Sequence, residues 1–98
     1  MKLHILKIEE EYAKEKDLGN KMFEIRKNNR DFNVGDFVKY IVVNEDGIIT
    51  ENTNGFLENK LFEITYITDY EQKRGFVVFG EKEVTLTCLT LNCIKLEK

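Results

Sequence analysis

One short segment, GNKMFEIR at residues 19–26, decides how this chain is expected to fold and where its site lies. The second half of the segment alternates apolar and charged side chains, which predicts a β-strand with one apolar and one charged face. On such a strand Glu24 and Arg26 point the same way, about 6–7 Å apart along the strand. Lys21 lies at the start of the strand, just after a glycine turn where the backbone can approach a ligand closely. The segment therefore predicts a charged cluster suited to an anion, a base edge or a carbonyl group.

The rest of the chain predicts a strand-rich α+β protein with one or two short helices. A helix rich in Glu and Lys is predicted at residues 9–18, with Gly19 as the glycine that ends it and with Tyr12 on a thin apolar stripe. The predicted strands are residues 3–8, 22–27, 37–43, 60–68 and 76–79, with a short return strand at 48–50 and a last strand at 84–96 that is interrupted near Leu89.

Two of these strands carry specific expectations about burial. The alternation over residues 60–68 places Phe62, Ile64 and Tyr66 on one face. Residues 76–79 are continuously apolar, which is typical of a strand that is buried on both faces. Turns and loops are predicted at residues 28–30, 34–36, 44–47, 51–59 and 69–74.

The length and composition predict a single domain over residues 1–98. Hydrophobic residues make up 42% and charged residues 34%, which is typical of a folded soluble protein rather than a disordered one. No apolar run is long enough to cross a membrane, and the first residues lack the pattern of a secretion signal. Two cysteines, Cys88 and Cys93, and a single histidine predict neither a disulfide framework nor a zinc site. We therefore expect a cytoplasmic protein with reduced thiols and no cofactor, metal or membrane partner.

The charge of the chain is distributed unevenly. A net charge of −3 argues against indiscriminate nucleic-acid binding, which depends on phosphate neutralisation. Residues 19–31, however, carry four cations against two acids, while the segments on either side are net acidic. This stretch is either a solvated charged turn or a small specific site.

The GNKMFEIR segment resembles the G-x-K-x-x-E-x-R signature of the ASCH domain, a branch of the PUA-like superfamily. Three runs also resemble a small, uncharacterised subfamily of that group: HILKI at residues 4–8, EIRKNNRDFNVGD at 24–36 and GFVVFG at 75–80. The resemblance covers about residues 2–82. It implies an α+β fold, a PUA-like mixed β pseudo-barrel of about six strands, with residues 83–98 as a C-terminal strand extension.

ASCH and PUA-like domains are associated with RNA, so the resemblance implies that RNA or a nucleotide binds in a small cleft. Arg26 would bind a phosphate or stack on a base, and Glu24 would accept a hydrogen bond from a base amino group. Lys27 and Arg30 would neutralise phosphates. The candidate binding residues are Lys21, Glu24, Arg26, Lys27, Asn28 and Arg30.

Each of these residues also has a structural interpretation. Lys21 could be an ordinary surface lysine, and Glu24 and Arg26 could form an ion pair that braces the barrel. Asn28 could stabilise its own turn. His4 shares a strand face with apolar residues, so a position in the core or at its rim is the default expectation. The same choice between core packing and base stacking applies to Tyr40, Tyr66 and Tyr70.

Two further functions belong to other classes. Some ASCH-like proteins are amidohydrolases that remove acyl groups from N4-acylated cytidine, with Lys-x-x-Thr where Lys21 and Glu24 stand here. Glu24 replaces the threonine, so it and Lys21 are candidates for acid–base chemistry without an assigned catalytic role. The family's downstream catalytic glutamate has only Glu71 as a nearby counterpart. Alternatively, the C-terminal strands could offer an edge for protein interaction.

Overall fold

The structure, a computed structural model, describes residues 1–49, 57, 60–69, 75–84 and 95–97. In this part of the chain a small mixed sheet forms a half-barrel that carries one helix, which agrees with the predicted α+β class. The elements are β1 (Lys2–Glu9), α1 (Glu10–Asp17), β2 (Phe23–Lys27), β3 (Phe37–Val43), β4 (Leu61–Asp69), β5 (Phe76–Val84) and β6 (Lys95–Glu97).

The order of the strands leaves an opening between β1 and β2. The sheet runs β2-β5-β4-β3-β1-β6, so β2 lies at one edge and pairs only with β5 among the described strands. At the other end, β1 pairs in parallel with β3 along most of its length. The described part of β6 covers only the start of β1, over Lys2 to His4. The edge of β1 that faces away from β3 is therefore unpaired over its second half, and the outer edge of β2 is unpaired as well, within the described residues. The candidate site lies there.

The core is built from alternating strand residues of this sheet. Val38, Phe62, Ile64 and Phe79 are almost completely buried, and Ala13 brings the helix onto the same core. Burial of such side chains contributes roughly 1.5–3 kcal/mol each to folding. The core thus holds α1 against the sheet, close to β1 and β3.

The predicted end of the helix is confirmed. Gly19 has a φ of 82°, which a glycine adopts without strain. The N–H of Gly19 donates to the carbonyl of Lys16 at 3.0 Å, and the N–H of Asn20 donates to that of Glu15 at 2.9 Å. These two bonds form a Schellman motif, which ends the helix and turns the chain towards β2.

Two expectations about strand faces are corrected. Phe62 and Ile64 are buried as expected, but Tyr66 is 53% exposed because a bulge between Ile64 and Tyr66 shifts the alternation. The Tyr66 ring lies over Gly80 of β5 instead of the core. The apolar run 76–79 is not buried throughout: its residues alternate between buried and half-buried as the first part of a longer strand.

A return strand at residues 48–50 is not formed at Ile48 and Ile49. The Asn44 side-chain oxygen accepts hydrogen bonds from the N–H groups of Asp46 and Ile48, each at 2.9 Å. The N–H of Asn44 donates to the Ile48 carbonyl, so the turn uses the groups that a strand would need. Several expectations lie outside the described residues: the interruption near Leu89, both cysteines, Tyr70, Glu71 and nearly all of the loop at 51–59.

His4 and Tyr40 are buried, which agrees with the expectation that both pack in the core. The His4 side chain is fully buried, its Nε2 lies 2.9 Å from Oδ2 of Asp36, and its ring centroid lies 4.6 Å from that of Phe32. Tyr40 is 3% exposed. The described helix is not long and apolar enough to cross a membrane.

Candidate binding site

The charged face of β2 points into the protein and its apolar face points outward. Glu24 is only 3% exposed, whereas Phe23 and Ile25 are each more than 40% exposed. This reverses the usual arrangement of an amphipathic strand, since a buried carboxylate is costly unless it is paired and hydrogen-bonded. The burial of Glu24 therefore requires several cationic partners.

Glu24 has three such partners, and they occupy both of its oxygens. Oε2 lies 2.5 Å from Nζ of Lys21 and 2.9 Å from Nζ of Lys16. Oε1 accepts from Nε of Arg26 at 3.0 Å and lies 2.9 Å from its Nη2. Glu24 and Arg26 thus share one side of the strand, as the alternation predicts. Glu24 is the anchor around which the cations are arranged.

A second buried carboxylate completes this arrangement. Lys16 of α1 has a fully buried side chain and forms an ion pair with Glu81 of β5. Tyr40 donates from its hydroxyl to Oε2 of Glu81 at 2.6 Å, and Nζ of Lys16 donates to the Lys21 carbonyl at 3.1 Å. We call these residues the Glu24 cluster: Lys16, Lys21, Glu24, Arg26, Tyr40 and Glu81.

Sequence reasoning missed Lys16 and Glu81. Lys16 follows the buried Ala13 by three residues, which places both on one face of the helix. The predicted stripe instead favoured Tyr12, which is 47% exposed. Glu81 offered no local signal, because its role depends on the pairing that sets its N–H 3.1 Å from the Met22 carbonyl.

The cluster shifts the acid–base properties of its members. Burial lowers the pKa of Lys16 from 10.5 to about 8, although the charge of Glu24 opposes this. Burial pushes the pKa of Glu24 upward, but Lys16, Lys21 and Arg26 outweigh it and leave the pKa lowered. Burial, with Glu24 nearby, raises the pKa of Tyr40. Glu24 is therefore held as a carboxylate and Tyr40 as a neutral phenol.

The lowered pKa of Lys16 predicts that stability rises with pH above about 8. The folded protein releases the Lys16 proton near that pH, whereas the unfolded chain holds it until about 10.5, so the unfolded state binds more protons in between. Above about pH 10 the raised pKa of Tyr40 works the other way. Urea midpoints from about pH 7 to 9.5 should rise more steeply in the wild type than in Lys16→Met. Parallel pH profiles would contradict this assignment.

A cleft of about 460 Å³ opens between β1, the start of α1 and β2. We call it the Lys21 cleft. Lys21 and Arg26 form part of its wall, with side chains 22% and 25% exposed. Nη1 of Arg26 also donates to the Lys7 carbonyl at 2.8 Å, a hydrogen bond that bridges the opening from β2 to β1.

Two aromatic rings stand at this cleft beside the lysine. Tyr12 and Phe23 both line it and are both more than 40% exposed. Nζ of Lys21 lies 5.7 Å from the centroid of the Tyr12 ring and 5.3 Å from that of Phe23. Sequence reasoning did not place either ring at the site, because both residues fitted apolar patterns that favour the core.

The remaining candidates do not all reach the Lys21 cleft. Lys27 and Arg30 line a neighbouring groove of about 560 Å³, which we call the Arg30 groove. Asn28 is exposed and lines neither cavity, and its N–H donates to the Gly75 carbonyl at 2.7 Å. Within the described residues, no group of three or more His, Cys, Asp or Glu side chains is placed to hold a metal ion.

A family model described as a domain of unknown function, DUF3850, matches residues 3–80. The match covers most of the chain and includes Lys21, Glu24 and Arg26 as well as Lys16 and Tyr40. No curated protein matches the chain.

Proposed function

We propose that this chain, which belongs to the DUF3850 family of unknown function, is a PUA-like domain that binds a nucleotide or modified base of RNA in the Lys21 cleft. The observation that carries the proposal is the pair of cations, Lys21 and Arg26, which a buried glutamate fixes beside two exposed aromatic rings.

The part of the cleft wall formed by Lys21 and Arg26 offers hydrogen-bond donors, and the exposed carboxylate of Glu9 adds an acceptor to the same cleft. Lys21 uses two of its three donors, on the Phe23 carbonyl and on Glu24. Arg26 has five N–H groups: Nε donates to Oε1 of Glu24, Nη1 donates to the Lys7 carbonyl, and Nη2 lies 2.9 Å from the same Glu24 oxygen. One N–H of Lys21 and two of Arg26 therefore have no partner among the described residues. Such a wall suits carbonyl oxygens of a base or the oxygens of a phosphate.

The electrostatics of the Glu24 cluster favour the same ligands. Three cations, from Lys16, Lys21 and Arg26, lie against two carboxylates, from Glu24 and Glu81. The excess positive charge lies on the two residues that face the cleft, since Lys16 is fully buried. A ligand with an electron-rich edge is attracted there, without the broad basic surface of an indiscriminate nucleic-acid binder.

The exposed rings of Tyr12 and Phe23 supply a stacking surface next to these donors. Stacking of a base on an aromatic side chain contributes about 1–3 kcal/mol and tolerates any base. The donors of Lys21 and Arg26 then select among bases by their carbonyl pattern. Specific recognition of single-stranded RNA commonly combines these two elements.

Glu24 takes a different role from the one that the resemblance implies. Both of its oxygens are engaged with cations, so it has little capacity to accept from a base amino group. Its lowered pKa makes it a weak general base. Glu81 is a glutamate downstream of Lys21 within the Glu24 cluster, but its side chain is fully buried in an ion pair with Lys16 and has no access to a substrate. These features favour binding over the amidohydrolase alternative.

Lys21→Ala is expected to weaken binding of single-stranded RNA by about 10- to 100-fold, because it removes a charged donor from the cleft. Fluorescence anisotropy with labelled single-stranded pools at low salt would measure the change. Lys14→Ala is the matched control, since Lys14 is an exposed lysine on α1 that does not line the cleft. Incubation with N4-acetylcytidine belongs in the same experiment. Release of cytidine by the wild type but not by Lys21→Ala would favour the hydrolase instead.

A further inference from the structure

We infer that the Arg30 groove binds the phosphodiester next to the base held in the Lys21 cleft, so that the ligand is a strand of at least two nucleotides. This inference rests on the proposed function, because it assigns the neighbouring part of the same ligand. Two of the groove's cations, Lys27 and Arg30, do not line the Lys21 cleft, so they can be changed without touching Lys21.

The charged residues that line the Arg30 groove are all cationic. Lys7, Arg26, Lys27 and Arg30 all line it, and none of its described lining residues is acidic. Such an imbalance is unusual on a chain whose net charge is −3. Four cations around one groove favour a polyanion over a neutral ligand, and Arg in particular matches the oxygens of a phosphate.

Arg30 has a buried nitrogen without a hydrogen-bond partner, which points to a ligand at this residue. Its Nη1 is buried and has no hydrogen-bond partner among the described residues. A buried donor without a partner costs roughly 1–3 kcal/mol, and more for a charged group. Buried polar groups are almost always satisfied in folded proteins. Rotation of the guanidinium into the groove would bring this N–H to a phosphate oxygen, which would satisfy it.

The groove and the Lys21 cleft are adjacent. Lys7, Ile25 and Arg26 line both cavities, so a ligand passing from one to the other stays in contact with the same wall. Arg26 stands at the boundary, where its N–H groups serve either side. The apolar surface of Phe32 and Ile41 gives a sugar ring something to pack on while the phosphate meets the cations.

The test compares ligands with and without the phosphodiester. Isothermal titration would measure the four nucleosides and the four matching homodinucleotides with wild type, Arg30→Gln and Lys27→Gln, with Lys82→Gln as an exposed control on β5. We expect the best dinucleotide to bind the wild type at least about tenfold tighter than its nucleoside. Arg30→Gln should remove most of that difference and leave nucleoside affinity unchanged, and Lys27→Gln should remove part of it. Because a dinucleotide carries one phosphodiester, the salt dependence of its binding should be at most about one ion, and Arg30→Gln should remove most of it.

Several outcomes would overturn the inference. If nucleosides bind but dinucleotides bind no tighter, the groove assignment fails while the cleft assignment stands. An equal loss of nucleoside and dinucleotide affinity in Arg30→Gln would show a general effect on folding. The exposed Lys27→Gln would then test the groove, and an unchanged dinucleotide advantage in that variant would overturn the inference. If no nucleoside or dinucleotide binds, but inorganic pyrophosphate does so in an Arg30-dependent way, the base cleft and the strand inference both fail.

Discussion

Replacing Lys16 with Met is expected to destabilise the folded protein by about 3–5 kcal/mol. Lys16 is the cation that lies between Glu24 and Glu81, and its side chain is fully buried. Its removal leaves Glu81 with the Tyr40 hydroxyl as its one remaining side-chain partner among the described residues. Deprotonation of Lys16 leaves a neutral amine that can still donate to Glu24 and Glu81, whereas Met removes the donors together with the charge. A buried carboxylate left without donors costs far more than the net contribution of the intact pair. Because small domains are stable by only about 5–15 kcal/mol, this substitution should remove a large part of the total.

Urea unfolding of Lys16→Met and Lys14→Met provides the matched comparison. The two lysines lie two residues apart on α1, but Lys14 is exposed, so its substitution should change the free energy of unfolding by less than about 0.5 kcal/mol. The double variant Lys16→Met/Glu81→Leu removes both charges and should lose less stability than the sum of the single changes. Similar unfolding midpoints for Lys16→Met and Lys14→Met would show that the buried ion pairs do not hold the fold together.

The elements that were predictable from the sequence are those with a local signal. β3 matches its predicted bounds. The helix ends just before Gly19, because glycine adopts the positive φ of that position without strain. The same alternation that located β2 could not say which face is buried. That choice depends on Lys16 and Glu81, which lie 8 residues before and 57 residues after Glu24 in the chain. A local pattern carries no information about such partners.

The incorrect predictions, for the face of Tyr66 and for a return strand at 48–50, also arise from contacts that a local pattern does not contain. The bulge between Ile64 and Tyr66 arises from how β4 pairs with β5, and no residue in that stretch announces it. The Asn44 side chain accepts the Ile48 N–H hydrogen bond that strand pairing would otherwise use. Strand propensity does not take such a side-chain competitor into account. The grouping of Lys21, Glu24 and Arg26 was predictable, because all three lie in one short segment and do meet in the structure. The aromatic rings beside them looked like core residues.

The position of the site and the stability of the fold are linked through Glu24. A binding site needs its cations held in fixed positions, since ordering long side chains on binding costs about 0.5–1.5 kcal/mol each. Burying a carboxylate behind Lys21 and Arg26 meets that need, at the expense of requiring Lys16 inside the protein. This accounts for the charged strand face that points inward. Because Arg26 lines both cavities, we expect the proposed binding to depend on it most.

Arg26→Leu is expected to weaken binding of single-stranded RNA by about 100-fold, the largest effect of any single change in the site. The substitution removes two unpartnered N–H groups from the wall and the hydrogen bond to the Lys7 carbonyl that ties β2 to β1. The planar fork of the guanidinium matters as well as its charge, because it bonds Glu24 and Lys7 at once and still presents donors.

Arg26→Lys separates these two contributions, since it keeps the charge and loses the fork. We expect it to bind about tenfold more weakly than the wild type, between the wild type and Arg26→Leu. Urea unfolding of both variants would confirm that they are folded where binding is measured; Glu24 keeps Lys16 and Lys21, so the loss of stability should stay well below that of Lys16→Met. Equal affinities for Arg26→Lys and the wild type would mean that charge alone attracts the ligand. An affinity for Arg26→Leu within about threefold of the wild type would contradict the proposed binding site, because Arg26 lines both of its cavities.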